Sequence, residues 1–184
     1  MIEQHVTAEQ PYLTEDAIHG IFSQNQRVSD ALSDFVTVLG NRLEVDVCSV
    51  YLTEKQGATI VLAATVGLKQ DCVGSLRMRL HEGLAGMVAE KLDPVSVAEA
   101  AKHPRFKYFP EAEEDAFESF LGVPIDTLGV LVVQSIEPRC YTPIEIRRLM
   151  RQASMLVCCI KKSAVDPFAV DENNSSPILQ NSGD

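Results

Sequence analysis

Ser119-Phe120-Leu121-Gly122-Val123-Pro124-Ile125-Asp126-Thr127-Leu128-Gly129-Val130-Leu131-Val132-Val133-Gln134-Ser135-Ile136 holds two strand-length apolar runs in direct succession. Ser119–Ile125 and Leu128–Ile136 are rich in Val, Leu and Ile, and only Asp126-Thr127 separates them. Runs of this length and composition, joined this closely, read as an antiparallel strand pair with a tight turn. The aliphatic stretches Leu121–Ile125 and Leu128–Val133 are assigned to the core.

Downstream, Thr142-Pro143-Ile144-Glu145 is a capping box with proline at the first helical position. Tyr141 and Ile146 are placed for a hydrophobic staple, and Ile146, Leu149, Met150, Ala153, Leu156, Val157 and Ile160 give one apolar helix face ending near Ser163. Upstream, Val28, Ala31, Leu32, Phe35, Val36, Leu39 and Leu43 recur at helical spacing. Val45–Leu52 and Ala58–Thr65 follow as strands, linked by a turn containing Gly57. Ser75–Leu80 alternates, with Leu76, Met78 and Leu80 on one side and Ser75, Arg77 and Arg79 on the other. A short helix is predicted over Gly83–Lys91, a brief strand over Val95–Val97, irregular chain over Ala98–Pro110 and a short acidic helix over Glu111–Phe117. Both faces of the first strand pair carry apolar residues, so the sheet needs cover on both sides. The predicted fold is α+β: a central antiparallel sheet, terminal helices on one face, and a loop and short-helix cover over a ligand cavity on the other. Residues 1–15 are expected to form a flexible arm, 16–163 the domain, and 164–184 a disordered tail poor in apolar residues.

Length and charge narrow the function. The 184 residues suit one domain with a full core. A formal net charge of -10 argues against nucleic acid and anionic membrane as partners, since both are met by clustered Lys and Arg. No apolar run is long enough to span a bilayer, and the first ten residues contain no secretory h-region, so a cytoplasmic location is expected. Cys48, Cys72, Cys140, Cys158 and Cys159 form no C-x-x-C pair and no zinc spacing with histidine, so neither metal nor cofactor is expected.

Five segments, taken in order, carry a resemblance. They are Val45–Leu52, Leu80-His81-Glu82-Gly83-Leu84-Ala85-Gly86-Met87-Val88-Ala89-Glu90, His103-Pro104-Arg105-Phe106-Lys107-Tyr108, Ser119–Ile125 and Leu128–Gln134. Together they resemble a GAF domain over roughly residues 28–161, most closely the N-terminal GAF domain of the nitrogen-related phosphotransferase enzyme I family. The resemblance implies a regulatory module sensing nitrogen or carbon status, with glutamine or 2-oxoglutarate as candidate ligands and a homodimer formed through the terminal helices. It does not extend to a phosphotransferase body, and His5, His19, His81 and His103 lie in no phosphotransfer context, so no enzyme activity is carried over. The two-residue Asp126-Thr127 connection is shorter than the family's usual one. It leaves either a tight turn or a remodelled sheet edge.

Candidate binding residues each have a structural alternative. Gly83 and Gly86 suit close approach of an anionic ligand to a helix N-terminus, or simply a tight strand-to-helix turn. Arg77 and Arg79 could clamp a carboxylate, or could be solvent-facing strand charges. His103, Arg105, Phe106 and Tyr108 offer cation, ring and hydroxyl for an amphipathic metabolite, or anchor their own loop. Ser119 either donates to a ligand from the cavity floor or closes a strand edge. Two other functions compete with sensing. A degenerate GAF domain used for structure or dimerisation would have its cavity filled by side chains. A free methionine sulfoxide reductase would need a thiolate at the start of the short helix, where Ala85 stands.

Overall fold

A computed structural model describes residues 10–54, 57–112 and 117–162. The two apolar runs form strands β5 (Ser119–Pro124) and β6 (Gly129–Ser135), paired antiparallel from Ser119↔Ser135 to Pro124↔Val130. The Asp126-Thr127 link is the tight turn: the Leu128 N–H donates to the Ile125 carbonyl at 3.0 Å, and Asp126 takes φ 51°. Asp is among the few non-glycine residues that tolerate this left-handed conformation.

β6 also pairs with β1 (Val47–Thr53), which pairs with β2 (Thr59–Val66), and β2 with β3 (Arg77–Arg79). β4 (Val95–Val97) pairs with β5 and completes a six-stranded antiparallel sheet in the order β3-β2-β1-β6-β5-β4. A register shift at Val50/Tyr51 makes Ala63 the extra residue of a bulge. Ala63 and Ala64 therefore both face the helices, while Ile60 and Leu62 face the opposite side.

The sheet has two cores because its strands are apolar on both faces. On one face lie α1 (Glu15–Gln24), α2 (Val28–Leu43) and α4 (Pro143–Lys162). α2 inserts Leu32, Phe35, Val36 and Leu39, and α4 inserts Leu149, Ala153 and Leu156, against Cys48, Val50, Leu121, Val123, Leu131 and Val133. Thr142 and Glu145 form the capping box as read from the sequence, with backbone-to-side-chain distances of 2.8 and 3.3 Å. On the other face, α3 (Gly83–Lys91) and the chain from His103 to Ala112 cover Val47, Tyr51, Ile60, Leu62, Phe120, Val130 and Val132.

Three sequence expectations are revised. The helical region before β1 is two helices, because the chain turns extended at Asn25 and Arg27. Residues 10–14, assigned to the loose arm, are docked on α4. Leu13 is 3% exposed, and its backbone N–H and C=O both bond the Gln152 side chain at 3.0 Å. The acidic stretch begins as a single 3-10 turn, Pro110–Ala112; its residues 113–116 lie outside the described residues, as do residues 1–9 and the tail from 163.

Candidate functional site

The face of the sheet away from the terminal helices carries a partly open cavity. Its floor is Tyr51 of β1, Met78 of β3, Phe120 of β5, and Val132 and Gln134 of β6. Leu84 and Ala85 of α3 form one wall, and Ala100, Phe106, Lys107 and Phe109 close the top. The cavity volume is about 30 Å³. That accommodates roughly two water molecules, whereas a metabolite pocket runs to roughly 300–1,000 Å³. A larger occupant fits inside only where the roof gives way, and otherwise extends out through the opening.

The roof is a strap, His103 to Phe109, tied down by polar contacts at its rim. Arg105 pairs with Glu90 of α3 at 2.6 Å and donates to the Leu80 carbonyl at 3.2 Å. The Arg105 guanidinium holds the Glu90 carboxyl below its ordinary range. Lys107 pairs with Glu82 at 3.3 Å and lies 5.1 Å from the Phe109 ring centre. Glu82 also accepts the Arg79 backbone N–H at 3.1 Å, and this bond, then Lys107, keeps its carboxyl low. The His103 Nδ1 accepts the Arg105 N–H at 3.1 Å, so this histidine orders its own loop.

The candidate residues divide accordingly. Phe106 lines the cavity, and Gly83 lies beside it: a methyl there would meet the Met78 sulfur at 3.5 Å and Phe109 at 3.7 Å. Gly83 has φ +62°, which favours glycine at this turn into α3. Gly86 is required by packing, because a Cβ would stand 2.5 Å from the Arg79 carbonyl oxygen. Arg77 and Arg79 flank Met78 on β3, so alternation turns both away from the cavity. Arg77 pairs outside with Glu54 at 3.1 Å. Tyr108 is 40% exposed and is not among the lining side chains. Ser119 shares the parity of Leu121 and Val123, which puts it on the helix-facing side. It is fully buried there, with its hydroxyl unpartnered among the described residues.

Gln134 and Lys107 are the polar lining residues that the sequence reading did not single out. For Gln134 the burial is nearly complete. It is 7% exposed, and its amide has no hydrogen-bond partner among the described residues. The signal was present in the sequence: Val130, Val132 and Gln134 share one face of an otherwise aliphatic strand, and only the last is polar. Among the described residues no cluster of His, Cys, Asp and Glu could hold a metal ion.

A curled antiparallel six-stranded sheet with helices on one face and a partly open cavity on the other is a GAF-like α+β architecture. The chain belongs to the GAF domain family, whose model matches residues 26–157. It is similar to the phosphoenolpyruvate-dependent phosphotransferase system protein of Escherichia coli (strain K12), 39% identical over 99 residues. That match covers 54% of this chain and 13% of the relative's length. A Nif-specific regulatory protein of Herbaspirillum seropedicae is 28% identical over 148 residues, 76% of this chain and 27% of that protein. The GAF domain from a phosphoenolpyruvate-protein phosphotransferase of Coxiella burnetii superposes with a TM-score of 0.70 at 31% identity, covering 82% of this chain and 96% of that one. Free methionine-R-sulfoxide reductase from Neisseria meningitidis shares the fold, with a TM-score of 0.68 at 19% identity over 81% of this chain and 87% of that one. The likeness read from the sequence segments is thus shown, and what the chain matches in the phosphotransferase is its GAF domain.

Proposed function

We propose that this GAF domain is the ligand-sensing part of a regulatory system that reads nitrogen or carbon status in the cytoplasm. The observation that carries the reading is a cavity in the sheet's covered face with Gln134 and Lys107 set among apolar side chains, under an irregular strap whose rim is held by ion pairs and whose Phe106 and Phe109 pack on the sheet. Exposed ion pairs hold with only about 0–1 kcal/mol each, so the strap is the part of the domain that opens most easily. Likeness to phosphotransferase and Nif-regulatory proteins supports the nitrogen link and keeps glutamine and 2-oxoglutarate as first candidates.

The reading is of a binding module without its own catalysis. Reductase chemistry needs a reactive thiolate at the cavity. No cysteine lines the cavity among the described residues, and Ala85 occupies the start of α3. Cys48 faces the helices on β1, with burial pushing its thiol up. Partnership as a homodimer through the terminal helices is part of the same reading, supported by Val38 on α2 and Ile144 and Met150 on α4, which are 41%, 51% and 39% exposed.

The small cavity also favours a second reading, a structural or dimerisation domain with no ligand. Thermal unfolding against a panel of nitrogen and carbon metabolites separates them. Sensing requires a ligand-dependent rise in Tm that saturates. A flat response across the panel, with a dimer seen by sedimentation, gives the second reading.

A further inference from the structure

The cavity floor carries a polar group that the fold itself does not use. Gln134 is 7% exposed, lines the cavity, and has no hydrogen-bond partner for its amide among the described residues. The amide is not sealed off, since the sealed and unpartnered side-chain atoms among the described residues are the Ser119 and Tyr141 oxygens. It meets solvent through the cavity, and a nearly buried amide with no protein partner beside a void is a place where an occupant can replace that water. The backbone does not explain it. Gln134 is held in register opposite Val47 and Phe120, and any residue could make those ladder bonds.

The chemistry of the occupant follows from what surrounds that amide. The cations nearest the cavity are engaged: Arg105 with Glu90 at 2.6 Å, and Lys107 with Glu82 at 3.3 Å. Arg77 is paired with Glu54 at 3.1 Å on the far side of β3, and Arg79 shares that exposed side. A carboxylate entering here loses its hydration against Met78, Leu84, Phe120 and Val132 and gains no charge not already neutralised. A neutral ligand avoids that cost. The Gln134 amide presents an acceptor and donors side by side. Its full complement is a C=O and an N–H on the same edge of the ligand. Phe106, Phe109 and Phe120 supply ring faces and edges that suit a flat body.

We infer that the cavity selects small, flat, uncharged molecules with adjacent N–H and C=O groups, a cyclic-amide edge, and that Gln134 is the residue that reads it. This rests on the sensing function proposed above and names the ligand class for the same site. Of the two metabolites named above it disfavours both, the dicarboxylate 2-oxoglutarate and the zwitterion glutamine, since each brings a carboxylate into the cavity.

The probes are 2-pyridone, which carries that edge, and benzoate, an anion of similar size, with glutamine and 2-oxoglutarate alongside. Each is titrated at millimolar concentration into the full chain and into Gln134→Leu and the near-isosteric Gln134→Met. Tm and the methyl NMR signals of Val132 and Met78 are followed. The expected result is a 2-pyridone-dependent rise in Tm with shifts at those methyls, and about tenfold weaker binding in both variants. Both variants are expected to melt no lower than the parent, since no side-chain hydrogen bond within the described residues is lost and apolar contact is gained. Preference for benzoate, glutamine or 2-oxoglutarate, or 2-pyridone binding undiminished in both variants, overturns the ligand class and leaves sensing intact. Absence of any shift with all four probes overturns both.

Discussion

Thr142 and Glu145 show how single residues fix an element. The Thr142 hydroxyl accepts the Glu145 N–H, and the Glu145 carboxylate accepts the Thr142 N–H at 2.8 Å and the Arg139 guanidinium at 2.6 Å. Thr142→Ala is expected to destabilise the domain by about 1 kcal/mol, measured by urea unfolding. Burial pushes the Glu145 carboxyl up, but the Thr142 N–H and Arg139 outweigh it and leave it below its ordinary range. A carboxyl lowered in the folded state adds stability that is complete above its unfolded pKa, about 4.3, and is lost as pH falls through the lowered folded value. Glu145→Gln should therefore unfold at lower urea than the parent at neutral pH and converge with it in acid. A gap that persists unchanged in acid would rule out this source of stability. Gly86 works by exclusion: α3 lies so close to β3 that a Cβ added at Gly86 would stand only 2.5 Å from the Arg79 carbonyl oxygen. Gly86→Ala is expected to cost about 1–3 kcal/mol through backbone shifts, and circular-dichroism melting measures it.

At the scale of elements, the strap from His103 to Phe109 is the part whose behaviour differs from the rest. Arg105→Ala removes the 2.6 Å pair with Glu90 and the bond to the Leu80 carbonyl. The pair is partly exposed, so global stability should change by less than about 1 kcal/mol, while amide exchange over residues 106–112 rises several-fold. Exchange unchanged there would mean that Phe106 and Phe109 hold the strap without the ion pair. The sequence made α2, α3, β4 and the start of α4 legible, because caps, glycines and apolar spacing mark their ends locally. It made the tight Asp126-Thr127 turn legible as one of two options. It did not reveal the docking of residues 10–14, since that depends on Gln152, 139 positions from Leu13, turning its amide inward. The site was legible in part for the same reason. Phe106 and Gly83 were found from local motifs, but the outward aim of Arg77 and Arg79 was fixed only by Met78 facing the cavity. Ser119 was assigned to the floor, yet strand parity sends it to the helices.

The whole molecule is one sheet with two unequal cores. The helix side buries Leu32, Phe35, Leu39, Leu121, Leu131, Leu149 and Leu156 at 1% exposure or less. The cover side holds the cavity, an irregular strap and an unbonded amide. Both cores share β1 and β6, the two central strands, so the sheet cannot open without losing both. The cover, by contrast, can lift while the helix side stays packed. Hydrogen exchange should therefore divide the domain by side. Amides of β1 and β6 should exchange only through global unfolding, with urea dependence equal to that of the equilibrium transition. Amides from 103 to 112 should exchange through a smaller opening that urea barely affects. A cavity-lining change such as Met78→Ala should lower global stability by about 2–5 kcal/mol and shift both sets together. A ligand bound under the cover should slow the strap first. If β1 and the strap instead exchanged with one common free energy and one urea slope, the cover would open only with the fold, and the cavity would not widen to admit a ligand in the native state.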